Sequence, residues 1–262
     1  MLAKLLKHEF KATYRYQCGM YIVLFILSII ALVLSVALEA NPGNGALIVT
    51  TSLSKLMAII VRVAVLVVTF VMAILRYRKN ILKDEGYLMH TLPVKKWQLL
   101  VSKLITPYVW TVLNIIIVYL SIALEVRDID ILSLTTMDLS SAGLSSGMIV
   151  MFVLAMAVSL LTSYSMFYLC LNIGYSMSKD KDLMSFVSYV VIYLINQVIS
   201  VIEMFIIFAF NFESFSAITK AQTFPVEYFW MVTGSALVMS IIMCIIYNMI
   251  SVYMLNKRLN LE

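Results

Sequence analysis

Apolar side chains gather into six stretches, near residues 19–38, 56–75, 105–124, 147–176, 186–210 and 229–255, with short polar connections between them. Each stretch reaches the ~20 residues that cross a hydrocarbon core as a helix. The pattern predicts an all-α polytopic membrane protein: six transmembrane helices in a single transmembrane domain over residues 1–262. The fourth stretch has 30 residues, about 45 Å as a helix, so it must tilt, bend or project beyond the bilayer. Ser159, Thr162, Ser163 and Ser165 are the positions where a bend would fall.

Outside these stretches the pattern changes to helical amphipathicity. Over residues 2–16, Lys4, Lys7, Lys11 and Arg15 make one basic stripe, and Leu2, Leu5, Leu6, Phe10 and Tyr14 occupy the opposite face. This predicts an interfacial elbow helix over residues 1–17 that braces the first span. An ordinary basic flank would not need phased Leu and Phe. The first span is too long for a signal-peptide apolar region and ends in a poor cleavage site, Leu38-Glu39-Ala40, so it is expected to be retained.

The connection over residues 76–104 is long for a link between spans. Ile81, Leu82, Leu88, Met89 and Leu92 share one helical face, while Lys83, Asp84, Tyr87, His90 and Thr91 point elsewhere. Pro93 ends that run, and a second short amphipathic stretch leads into the third span.

Composition and charge sharpen the picture. The chain is 63% apolar, with a mean hydropathy of +0.99, which no water-facing fold of this length would keep soluble. Fifteen Lys and Arg lie at the amino end, the second and fourth connections and the tail, against three (Lys55, Arg127, Lys220) on the other side. The positive-inside rule puts both termini in the cytoplasm of a multi-pass protein of the cytoplasmic membrane. The net charge of +5 is scattered along membrane edges, so it marks topology and no nucleic-acid partner is expected. The four prolines (Pro42, Pro93, Pro107, Pro225) fall at expected boundaries, Pro107 at the start of the third span. Trp97, Trp110 and Trp230 fall near span ends. Cys18, Cys170 and Cys244 lie in or beside spans and indicate neither disulfide nor metal. Eighteen methionines suit adaptable apolar packing more than a metal path.

The segment Asp84-Glu85-Gly86-Tyr87-Leu88, then Thr91-Leu92-Pro93-Val94, Trp97-Gln98-Leu99-Leu100 and Ser102-Lys103, resembles the inner loop of ABC-2 type transporter permeases. The order of parts matches that family over essentially the whole chain. The resemblance implies a coupling helix between spans 2 and 3 that docks on an ATPase, and a dimer of permeases bound to two ATPase subunits. It also implies a substrate path near the permease interface. Lys83, Asp84, Glu85, Gly86, Tyr87, Leu88 and His90 are the docking residues so implied. The alternative is a passive interfacial helix. The sequence holds no phosphate-binding loop, so this chain is not expected to be an enzyme or to bind a cofactor; ATP and Mg would sit on the separate ATPase.

Two ionisable side chains fall inside spans, Arg62 and Glu203. A charge at mid-bilayer costs at least ~2.5–3.5 kcal/mol on insertion scales, so each is expected to face protein or water. Both sit roughly 10 Å below the outer surface, and their opposite signs suggest an ion pair between the second and fifth spans. Tyr193, Asn196, Gln197, Ser200 and Glu203 recur at three- and four-residue spacing. That stripe reads either as hydrogen-bonded glue between helices or as the lining of a translocation path.

The leading expectation is the permease subunit of an ATP-driven exporter of a peptide, drug-like or lipid-like substrate. An ion-coupled secondary transporter using Arg62 and Glu203 is the alternative, although no internal repeat is visible. An intramembrane enzyme would need paired catalytic groups in the bilayer, whereas His8 and His90 lie outside the spans and Glu203 is the sole intramembrane acid.

Overall fold

The structure is a computed structural model that describes residues 2–83, 86, 94–125, 145–177, 180–210 and 226–257. Among these residues it is all-α, with six long helices: α1 (Leu2–Ala40), α2 (Gly45–Tyr77), α3 (Lys96–Glu125), α4 (Ser146–Tyr175), α5 (Lys181–Phe210) and α6 (Val226–Lys257). A five-residue π-helical turn, Arg78–Leu82, continues α2. All six helices are long and apolar enough to cross a membrane, and there is no strand among the described residues. The protein is a multi-pass membrane protein.

Burial runs opposite to that of a water-soluble fold. On α1, Ile22, Ile26, Ile29 and Val33 are exposed while Glu9, Gln17 and Ser28 are buried. Lipid is as apolar as Leu, so helices in a bilayer gain from close packing and polar pairing, and apolar faces turn outward.

The chain divides into two compact units, Met1–Arg76 with Val101–Thr135 and Tyr77–Leu100 with Thr136–Glu262. In the first unit, residues 2–17 run unbroken into the first span, so no helix boundary separates the expected elbow from α1. Glu9 on this segment is only 5% exposed, and its carboxylate accepts from Arg76 of α2 and Lys103 of α3.

The connection between α1 and α2 is only residues 41–44, much shorter than the hydropathy pattern indicates. Asn44 Oδ1 accepts from the amides of Ala46 and Leu47 at 3.1 and 3.4 Å and starts α2 at Gly45. The polar run that looks like a loop is helical, with its hydroxyls bonded to carbonyls one turn back. Thr51 Oγ1 donates to the Leu47 carbonyl at 2.7 Å and Ser52 Oγ to that of Ile48 at 2.8 Å. α3 likewise begins at Lys96, which places Pro107 inside the helix and not at its start.

In the second unit, α4 packs against both α5 and α6. Ser145 caps α4, its hydroxyl accepting from the Met148 amide. At the α4–α5 turn, a Cβ on Gly174 would stand 2.5 Å from the Ser185 Cα, so only glycine admits this approach. Thr162 Oγ1 lies 2.9 Å from the Ser240 carbonyl of α6, and Asn248 Nδ2 of α6 donates to Ser165 Oγ at 2.9 Å. α4 is continuous through the serines and threonine expected to bend it. The sequence also leads one to expect an acidic, Ser- and Thr-rich connection over residues 125–146 and a short outer helix over residues 211–228; most of both lies outside the described residues.

Candidate functional site

Two features of the second unit bear on function. The first is a clamp where α2 ends. Tyr77, fully buried, donates from its hydroxyl to Asn172 Oδ1 of α4 at 2.9 Å. Its ring stacks on Tyr168, centroids 3.9 Å apart and 8° from parallel. The π turn follows, closed by the Lys83 amide on the Arg78 carbonyl at 3.1 Å, with Ile81 and Leu82 buried. Arg78 Nε donates to the Tyr175 hydroxyl at 2.7 Å, and its Nη2 pairs with Asp182 at the start of α5. Tyr175 in turn donates to Asp182 Oδ1 at 2.9 Å. One arginine thus ties the turn to the end of α4 and the start of α5. Single π turns in helices recur at functional sites.

The second feature is an open cleft of about 310 Å³ among α4, α5 and α6, its surface largely apolar and set with several polar side chains. Ser159, Thr162, Ser163 and Met166 line it from α4, and Asn196, Ser200 and Glu203 from α5. Met239, Ser240, Met243 and Tyr247 line it from α6. The Tyr247 hydroxyl donates to Asn196 Oδ1, and Asn196 Nδ2 donates to the Met166 sulfur at 3.2 Å. Glu203 Oε1 is buried and has no hydrogen-bond partner among the described residues. No group of three or more His, Cys, Asp or Glu that would hold a metal ion occurs among the described residues.

The stripe read from α5 therefore divides. Asn196, Ser200 and Glu203 come together in the cleft, whereas Gln197 and Tyr193 do not line it. Gln197 is exposed, and Tyr193 stacks loosely on Tyr189 with centroids 6.2 Å apart.

Arg62 has a different carboxylate from the one expected. In the first unit its guanidinium pairs with Glu125 of α3, and Nε and Nη2 donate to the hydroxyl and carbonyl of Ser121 at 3.0 and 3.3 Å. Within its own unit Arg62 thus has Glu125 as its carboxylate partner, where an ion pair with Glu203 was anticipated. Glu125 closes the third apolar stretch and was legible only as its polar edge. Deeper in the same unit, Gln17 Nε2 and Asn114 Nδ2 both donate to Thr69 Oγ1, at 3.0 and 2.7 Å. Tyr21 donates to Asn114 Oδ1 at 2.5 Å. This network joins α1, α2 and α3, the role of polar glue.

Of the docking residues, Lys83 is exposed at the end of the π turn. Gly86 is buried, its amide 2.6 Å from the Lys83 carbonyl. Asp84, Glu85, Tyr87, Leu88 and His90 lie outside the described residues. Sequence reading missed the α6 wall, although Met239, Met243 and Tyr247 recur every four residues, the spacing of one helical face. Comparison with family models, with characterised proteins and with solved structures finds no match to this chain.

Proposed function

We propose that this chain is the permease subunit of an ATP-driven ABC exporter, with the ATPase on a separate polypeptide and a second permease completing the complex. The observation that carries the reading is the attachment of the motif-bearing connection. The segment that resembles a coupling helix begins directly after the π turn, and that turn is fastened to α4 by Tyr77 and to α4 and α5 by Arg78. Force applied to residues 83–95 reaches, through these bonds, the helices that line the cleft. The fifteen-to-three bias of Lys and Arg supports a cytoplasmic position for that connection and for both termini, in the cytoplasmic membrane. The ion-coupled alternative loses one of its two charges, because Glu125 neutralises Arg62.

The test is purification of the tagged chain from its native membranes, followed by an ATPase assay on the complex. An ABC ATPase co-elutes, and its activity is stimulated by the permease. Replacing Glu85 or Tyr87 with alanine abolishes the stimulation while leaving insertion unchanged. Uptake driven by an ion gradient with this chain alone would overturn the reading.

A further inference from the structure

The hydrogen-bond directions around the cleft leave it rich in acceptors. Ser159 donates its hydroxyl proton to the Met156 carbonyl at 2.9 Å, Ser163 to that of Ser159 at 2.9 Å and Ser200 to that of Gln197 at 3.0 Å. Thr162 donates to the carbonyls of Val158 and Ser240, both at 2.9 Å. A hydroxyl has one proton and two lone pairs, so with their protons directed to backbone carbonyls these oxygens are left to accept, while the Ser240 hydroxyl and the second Asn196 amide proton remain as donors on the lining. Tyr247 directs its proton to Asn196, and Asn196 directs an amide proton to Met166. Beside them stands Glu203 Oε1, buried and without a partner among the described residues. Three methionine sulfurs (Met166, Met239, Met243) add soft, polarisable surface.

With one carboxylate and more acceptors than donors, such a lining disfavours anions. It matches a group with several donors and no acceptor, which describes a primary ammonium. A divalent metal fits poorly: hard cations take about 6–8 oxygen ligands, usually several of them carboxylates, and the cleft lining holds one carboxylate. A volume of about 310 Å³ sits at the lower edge of small-molecule sites. It takes an ammonium head and a short part of its stem. Ile199, Ala236 and the methionines complete an apolar surround for that stem.

We infer that the cleft among α4, α5 and α6 is a binding site for the primary-amine end of an amphiphilic cation, with Glu203 as its counter-ion. This deepens the exporter reading by naming a substrate class, and it rests on that reading only for the direction of movement.

The probe is dansylcadaverine, a primary ammonium on an apolar fluorophore, added to the full-length chain in phosphatidylcholine nanodiscs without any ATPase. Fluorescence anisotropy reports binding, and neutral dansylamide is the control. The wild-type chain binds dansylcadaverine saturably and dansylamide at least about tenfold more weakly, and Glu203→Gln weakens dansylcadaverine by about tenfold or more, as expected for a charge-assisted bond. Equal affinity for the two probes, or an unchanged affinity in Glu203→Gln, overturns the site. A second measurement keeps the test decisive should that variant misfold. Dicyclohexylcarbodiimide modifies Glu203 in the wild-type chain, read by mass spectrometry, and dansylcadaverine protects it. Labelling that is indifferent to dansylcadaverine counts against the inference. Binding with no co-purifying ATPase keeps the site and removes the motor; an ATPase-coupled chain that ignores the probe does the reverse.

Discussion

Lys103 Nζ stands 2.5 Å from Glu9 Oε1, and both side chains are buried. The second oxygen of the same carboxylate accepts from Arg76 at 3.2 Å. One acidic residue on α1 therefore balances a cation on α2 and another on α3. Removing one partner of a buried pair costs more than the pair contributes, because the remaining charge keeps its desolvation penalty. Glu9→Gln is expected to lower stability by about 3–5 kcal/mol, read as a fall in the thermal midpoint of helical circular dichroism in detergent. A variant as stable as the parent would show that water reaches Lys103.

Arg62 and Glu125 give a prediction of the opposite form. Either single change, Arg62→Met or Glu125→Met, strands a charge and should destabilise by at least about 2.5 kcal/mol. Changing both removes the charge as well as the partner and should recover most of that loss, since apolar replacements of a buried pair are often close to neutral. A double variant whose loss equals the sum of the singles would mean that the pair is not formed.

Gly174→Ala brings a methyl group within 2.5 Å of the Ser185 backbone. The obstacle is main chain and no rotamer relieves it, so α4 and α5 must separate at the turn. A loss of about 1–3 kcal/mol is expected. Cysteines placed across the α4–α5 turn should cross-link more slowly in this variant than in the parent, and an unchanged rate would contradict the close approach.

Asp182 separates stability from coupling. Its side chain is 59% exposed, so Asp182→Asn should change stability by less than about 1 kcal/mol. Under the proposed function the same substitution loosens the π turn from α5 and lowers permease-stimulated ATP hydrolysis severalfold. Tyr77→Phe removes a buried hydrogen bond to Asn172 and should cost about 1–3 kcal/mol. Full coupling in Asp182→Asn would detach the clamp from force transmission.

The apolar centres of all six helices were legible in the sequence because a run of about 20 apolar residues matches the thickness of a bilayer and exceeds what a soluble core helix needs. The helix ends were not. Thr51 and Ser52 resemble a loop in hydropathy, yet a hydroxyl that bonds to its own helix carries little penalty within it. Lys96 and Lys103 likewise look like membrane edge, although α3 runs through both. The α5 stripe was readable for Asn196, Ser200 and Glu203, since spacing places residues on one face. Spacing does not say which neighbour meets that face. Partner choice was therefore illegible: Arg62 with Glu125 and Glu9 with Lys103 join residues far apart in the chain, and charge and depth alone admit several matches.

Pairing Arg62 with Glu125 also constrains how the protein is made. Glu125 is translated 63 residues after Arg62, which at ribosomal speeds of about 5–20 residues per second is a delay of about 3–13 s. Throughout that interval α2 carries a cation whose counter-ion has yet to be synthesised. Inserting α2 alone therefore carries a penalty of up to about 2.5–3.5 kcal/mol for that charge, which the arrival of α3 relieves.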